Sequence, residues 1–172
     1  MDLLRYPIGQ FEKPATVSPQ QRKEWLESIA NFPKAFEEMA LSLSLAKLQL
    51  PYRQGGWTAE QVVHHVPDSH MNAYLRFKWS LSEENPMIKA YDEVAFANLG
   101  DYRDQDIQNS LDFLHILHKR WIRTMQRMKE EDWKRTYQHP QDGLTYVLEE
   151  VLGMYVWHGN HHLGHLKIVA EK

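Results

Sequence analysis

Between Thr145 and Ala170 the chain repeats apolar residues at helical spacing and sets histidine among them, which fixes what the rest of the chain must do. A helix with an apolar stripe has to bury it against other elements, and any imidazole on that stripe is carried inward with it. At about 100° per residue, Leu144, Leu148, Val151, Leu152, Tyr155, Leu166 and Val169 form the stripe, and Glu149, Glu150, Asn160, Lys167 and Glu171 fall opposite. Four of the ten histidines, His158, His161, His162 and His165, lie within this helix. They make two His-x-x-x-His pairs, each placing two ring nitrogens one turn apart on one face. His158 and His162 lie in or beside the stripe, whereas His161 and His165 are displaced towards its flank. A ligand pair facing other helices belongs on the seam. That favours His158 and His162 and keeps His161 and His165 as the alternative.

Three further helical segments supply the partners. Ser18-Pro19-Gln20-Gln21 is a helix start with Ser as cap and Pro at the first position, followed by Trp25, Ile29, Phe32, Phe36, Met39 and Leu43 on one face. Pro33 is expected to kink or split this helix. A loop over 50–57 leads to a second capping box, Thr58-Ala59-Glu60-Gln61. The helix it opens carries a polar stripe, Gln61, His65, Asp68, Ser69, Asn72 and Arg76, either a solvated face or a polar channel into the interior. His64 points away from that stripe, and Pro67 is expected to disturb the backbone ladder just after His65. Residues 83–105 read as a long connection with a weak helical signal over 92–98. A helix over 106–130 has Leu111, Leu114, His118, Trp121, Met125 and Met128 as its seam, with His118 either a satisfied core histidine or a further ligand. Residues 131–144 read as a loop.

These segments predict one all-α domain over 1–172, a four-helix bundle with long connecting loops and an extended arm at 1–17. The 42% apolar fraction and six tryptophans agree with a packed core. The net charge of −3 gives no electrostatic case for nucleic acid, and the basic run Lys119 to Lys129 is followed at once by Glu130, Glu131 and Asp132. The chain has no cysteine, which removes disulfides, thiolate ligands and Cys nucleophiles and agrees with a cytoplasmic location. The start lacks the basic and apolar regions of a signal peptide, and no stretch approaches the roughly 18 apolar residues of a membrane span.

Bundle cores recurrently hold metals. A di-iron carboxylate site needs Glu-x-x-His on two helices, and the residues three before His65, His158 and His162 are Val62, Tyr155 and Gly159. A zincin needs His-Glu-x-x-His, and neither terminal pair provides it. What remains is His65 with His158 and His162. Three neutral imidazoles suit Zn²⁺, Ni²⁺ or Fe²⁺ and leave coordination positions open, where an ion can activate water or polarise a carbonyl.

The pattern Trp57-Thr58-x-x-Gln61-Val62-Val63-His64-His65, then Asp68 and Asn72, with His158-x-x-His161-His162-x-Gly164, resembles the DinB/YfiT-like superfamily. Tyr6-Pro7-Ile8-Gly9, Pro51-Tyr52-Arg53, Gly55-Gly56-Trp57-Thr58, Asp68-Ser69-His70-Met71-Asn72 and Tyr155-Val156-Trp157-His158 extend the likeness over nearly the whole chain. The resemblance implies an up-down-down-up four-helix bundle, often a homodimer, binding one zinc or nickel per chain through His65, His158 and His162. Many such proteins have Arg-Gly-Gln after the paired histidines. Here Leu163-Gly164-His165 stands instead, so no role of that Arg or Gln carries over.

The resemblance also implies a metal-dependent hydrolase acting on a small molecule, with Asp68 or Asn72 orienting water or substrate. No Glu is evident as a general base. Other DinB-like proteins use the metal to activate a low-molecular-weight thiol such as bacillithiol, and a thiol S-transferase needs no such base. Arg76 is then a candidate partner for an anionic group of the thiol. A metal-binding, stress-related module without turnover is the third reading, which a fourth ligand such as His118 would favour.

Overall fold

A computed structural model describes residues 2–103 and 106–172; Met1 of the expected arm and residues 104 and 105 of the expected connection lie outside the described residues. Four long helices dominate: α1 (Pro19–Leu41), α3 (Ala59–Ser82), α5 (Gln108–Met125) and α6 (Leu148–Ala170), with one-turn helices α2 (Leu45–Leu48) and α4 (Glu93–Phe96) between them. Both anticipated starts are formed. Ser18 Oγ accepts from Gln21 N–H at 3.1 Å, and Thr58 and Gln61 complete a reciprocal capping box.

Side-chain neighbours give the direction of each helix. Trp25 meets Gly153 and Phe32 meets Gly159, so α1 and α6 run parallel. His64 pairs with Ser110, His70 with His118 and Phe77 with Trp121, so α3 and α5 also run parallel. His65 lies against His162 while Arg76 reaches Tyr155, which sets α3 antiparallel to α6. Ile29 meets His118 while Glu37 meets His115, which sets α1 antiparallel to α5. The order is therefore up, down, down, up.

Neither proline ends its helix. α1 is continuous through Pro33 and α3 through Pro67, and both rings are buried. One lost backbone bond per proline is outweighed by the apolar contacts that each helix makes on both sides of it.

The helix expected from Thr145 starts three residues later. Thr145–Val147 is instead a strand, β2, pairing antiparallel with β1 (Thr136–Gln138) inside the stretch expected to be loop. Thr, Tyr and Val are strand formers, and Tyr137 stacks on its cross-strand partner Tyr146 at 5.3 Å. Gly143, at φ +69°, makes the reversal. Leu144 thus leaves the helical stripe and is exposed. Glu149, expected on the outer face, is buried and bonded to Arg22 and Lys134.

The apolar core has two parts. One gathers Phe36, Val62, Val66, Leu111, Leu114 and Leu166, and the other Ile29, Phe77, Trp121, Leu148, Leu152 and Tyr155. Between Val66 and Ala73 on α3, Leu114 and Trp121 on α5, and Tyr155 and Leu166 on α6, the helices place His70, His118 and the terminal histidines. A layer of imidazoles crosses the middle of the bundle.

Candidate metal centre

His65 from α3 and His158 and His162 from α6 come together as the sequence spacing predicts. One ring nitrogen of each lies within 4.8 Å of the others, and His65 Nε2 faces His158 Nε2 at 3.4 Å. Burial holds all three imidazoles neutral: His65 is pushed down to about 3, with His161 and His165 adding to the effect, and His158 and His162 fall well below the ordinary histidine value.

A second group, His161, His162 and His165, is equally close-set, so proximity alone does not select the ligands. Hydrogen bonding distinguishes the ring nitrogens. A neutral imidazole has one N–H and one lone pair, so each bond fixes the next. His118 Nδ1–H donates to the Ile29 carbonyl at 2.8 Å, leaving Nε2 to accept from His70 Nδ1–H at 2.7 Å. His70 Nε2 then accepts from His158 Nδ1–H at 3.3 Å, and His158 is left with a bare Nε2 beside His65. On the other side, His165 Nε2–H donates to the Arg5 carbonyl at 3.2 Å, and His165 Nδ1 accepts from His162 Nδ1–H at 3.3 Å. Only Nε2 of His162 keeps a free lone pair. Two imidazole chains, each ending on a backbone carbonyl, orient His158 and His162. Outer partners of this kind accompany metal-ligating histidines generally. His165 serves as such a partner, and His161 stacks on Trp157 at 4.6 Å.

The donor set fits a divalent transition ion. The hydrogen bonds leave free lone pairs on His158 Nε2 and His162 Nε2, in a group whose ring nitrogens lie within 4.8 Å of one another with His65, and a buried three-imidazole set matches Zn²⁺ or Ni²⁺ chemistry.

The three histidines open into a cavity of about 610 Å³. Its wall includes Trp57, Ser69, Arg76, Tyr91 and Tyr155, and the N-terminal arm contributes Arg5 and Tyr6. The arm is docked on α6: Trp157 Nε1–H donates to the Gly9 carbonyl at 3.1 Å, and Pro7 lies where a side chain on Gly164 would stand.

The polar stripe of α3 divides. His65, Ser69 and Arg76 are buried and line the cavity. Asp68 and Asn72 are not among its lining residues: Asp68 accepts from Tyr102 O–H at 2.5 Å, and Asn72 donates to the Asp68 carbonyl. Burial raises the Asp68 carboxyl above its ordinary value, against the pull of Tyr102. Gln61 caps α3 and donates to the Ala97 carbonyl, so this side of the stripe carries the segment around Ala97 and Tyr102. His64 is buried and bonded to Ser110. His118 is a core histidine one imidazole removed from His158. His70 was legible only as a histidine spaced with Val66, Ala73 and Phe77, four after the first and three and seven before the others.

The chain belongs to the DinB superfamily, whose model matches residues 24–166 of this bundle. Its relatives include a Bacillus pumilus protein, 44% identical over 172 residues (100% of this chain and 98% of that one), named provisionally as a metal-dependent hydrolase. YfiT of Bacillus subtilis, with the same provisional name, is 40% identical over 169 residues, covering 98% of this chain and 95% of YfiT. The solved YfiT structure, described as having an unusual four-helix bundle topology, matches with a TM-score of 0.96 at 39% identity over 98% of this chain and 97% of that one.

Proposed function

We propose that the chain is a metal-dependent hydrolase that holds one zinc or nickel ion through His65, His158 and His162 and takes a small-molecule substrate into the adjoining cavity. The observation that carries this reading is the convergence of three neutral imidazoles at an open cavity, with two of them oriented by the His70–His118 and His165 chains. When bound, such an ion lowers the pKa of a coordinated acid and polarises a carbonyl. The protein's part is to keep the imidazoles neutral, fix the tautomers of His158 and His162 and screen the site with Trp57, which packs 4.7 Å from His65. Ser69 Oγ lies 3.4 Å from His158 Nε2 and is a candidate to orient a substrate.

A second reading, transfer of a low-molecular-weight thiol, is favoured by one observation. Among the described residues the cavity wall contains a single carboxylate, Glu93, exposed on α4, so no buried acid stands ready to accept a proton from water. A thiol that ionises on binding needs no such acceptor.

Metal analysis of the purified protein tests the centre. About one ion per chain is expected, lost in His65→Ala, His158→Ala and His162→Ala and kept in His161→Ala. Metal retained without His158 or His162 would refute the assignment. Turnover of model esters and amides, set against conjugation of a model electrophile with and without added thiol, then separates the two chemistries.

A further inference from the structure

The cavity contains a second feature that the three histidines do not explain. Arg76 is 7% exposed and lines the same wall, yet no carboxylate lies within ion-pair distance of it among the described residues. It donates Nη1–H to Tyr155 Oη at 3.3 Å, its Nε–H is buried without a partner, and its guanidinium lies 5.9 Å from the Tyr137 ring centre. A buried guanidinium has lost water and gained little in return.

We infer that Arg76 is the receptor for an oxyanion group of the substrate, a carboxylate or a phosphate, bound beside the metal centre. This rests on the proposed function for what reacts; it adds what is recognised. The guanidinium presents its donors in a planar fork that matches such oxygens, and it forms part of the cavity wall with no counter-charge of its own. Ser69, Tyr91 and Tyr155 line the same wall and add hydroxyl donors; burial raises the Tyr91 phenol well above its ordinary value, so it stays protonated. Tyr155, which holds Arg76, precedes His158 by three residues on α6, and the two rings are 5.5 Å apart. The anion is therefore seated about one helical turn from a metal ligand, and the group that reacts lies within a few bonds of the group that is recognised. The substrate is a small anionic molecule carrying its electrophilic or thiol group close to a carboxylate or phosphate.

The test uses metal-free protein and two probes, sodium acetate and inorganic phosphate, titrated against sodium chloride at matched ionic strength. The ¹⁵N–¹H signal of Arg76 Nε, assigned by its loss in Arg76→Lys, is the readout in the wild type. A saturable shift with acetate, with phosphate or with both, and none with chloride, is expected, and the better probe names the oxyanion. Binding should weaken at least tenfold in Arg76→Gln and by less in Arg76→Lys, which keeps the charge and loses the fork. No saturable shift with either anion, or unchanged affinity in Arg76→Gln, overturns the inference. If Arg76→Gln fails to fold, the wild-type titration and Arg76→Lys still decide. Metal content is measured separately in anion-free buffer, so failure of the anion site and failure of the metal centre are read independently.

Discussion

Two arginines in this bundle are buried to the same depth and treated in opposite ways. Arg22 on α1 is 6% exposed, Arg76 on α3 is 7%. Arg22 donates to Glu130 at 2.5 Å and to the buried Glu149 at 3.4 Å, and lies over Trp133 at 5.0 Å. Every attraction that a buried cation needs is supplied by the chain. Arg76 meets a phenol oxygen and an aromatic face, and its side opens on the cavity. Equal burial therefore says little about role; the presence or absence of a counter-charge separates a cation that holds the fold from one that awaits a ligand.

Substitution puts the contrast at its sharpest. Arg22→Ala strands Glu149, which keeps only Lys134, and should cost about 3 kcal/mol of unfolding free energy. Arg76→Leu removes a charge that has no partner and should change stability by less than about 1 kcal/mol in either direction. Urea unfolding of both variants in metal-free buffer reads the difference, and a loss at Arg76 equal to that at Arg22 would break the comparison.

The next largest effect extends the contrast to groups that can become neutral. His118 titrates near 6.5 in the unfolded chain and is held at about 4 in the fold by burial, against the opposing bond to Ile29. Between those values the unfolded state binds the extra proton. Stability is complete above about pH 6.5 and is lost as the pH falls towards 4, at about 1.4 kcal/mol per pH unit for this residue. His118→Gln should flatten that part of the profile, measured by unfolding metal-free protein from pH 7 to 4.5. An unchanged slope would show that His118 is not held neutral.

These contrasts explain what the sequence made visible. Periodicity found the helices and set His158 and His162 in or beside the buried stripe of the last one, because burying an apolar stripe leaves its period in the residues themselves; His65 was legible only as part of a polar stripe. It also put Ser69 and Arg76 beside His65. It misassigned Thr145–Val147 and Glu149, because a three-residue strand pair and an ion pair to Arg22 depend on partners far along the chain. Periodicity favoured His158 and His162 over His161 and His165 but not on what finally separates them. His165 is buried too, and its place behind His162 follows from the Arg5 carbonyl, 160 residues away. The missing counter-charge of Arg76 is a property of the folded surroundings and has no sequence signature.

His70 offers a smaller and more specific effect. It touches no proposed ligand atom directly and acts through Nδ1 of His158. Loss of such an outer partner costs about 10–100-fold in metal affinity elsewhere. His70→Phe should therefore keep a metal site of weakened affinity, whereas His158→Ala should lose it. Competition with a chromophoric chelator measures the two, and equal losses would place His70 among the ligands.

The smallest effect concerns the acid that sequence reasoning put at the site. Asp68 accepts from Tyr102 at 2.5 Å, a bond that pins the segment around Tyr102 on α3. Tyr102→Phe removes one donor and leaves the ring, at a cost of about 1 kcal/mol. If Asp68 serves only this segment, the variant lowers the melting temperature by a few degrees while metal content and anion affinity stay at wild-type values. If Asp68 reaches into the cavity, its freed carboxylate would sit on the same helix as Arg76 and compete for it. Anion affinity would then fall in Tyr102→Phe, and the double variant Tyr102→Phe/Asp68→Asn would restore it. Restoration would mean that the empty counter-charge position beside Arg76 is within reach of the chain's own acid and is kept vacant by a single phenol.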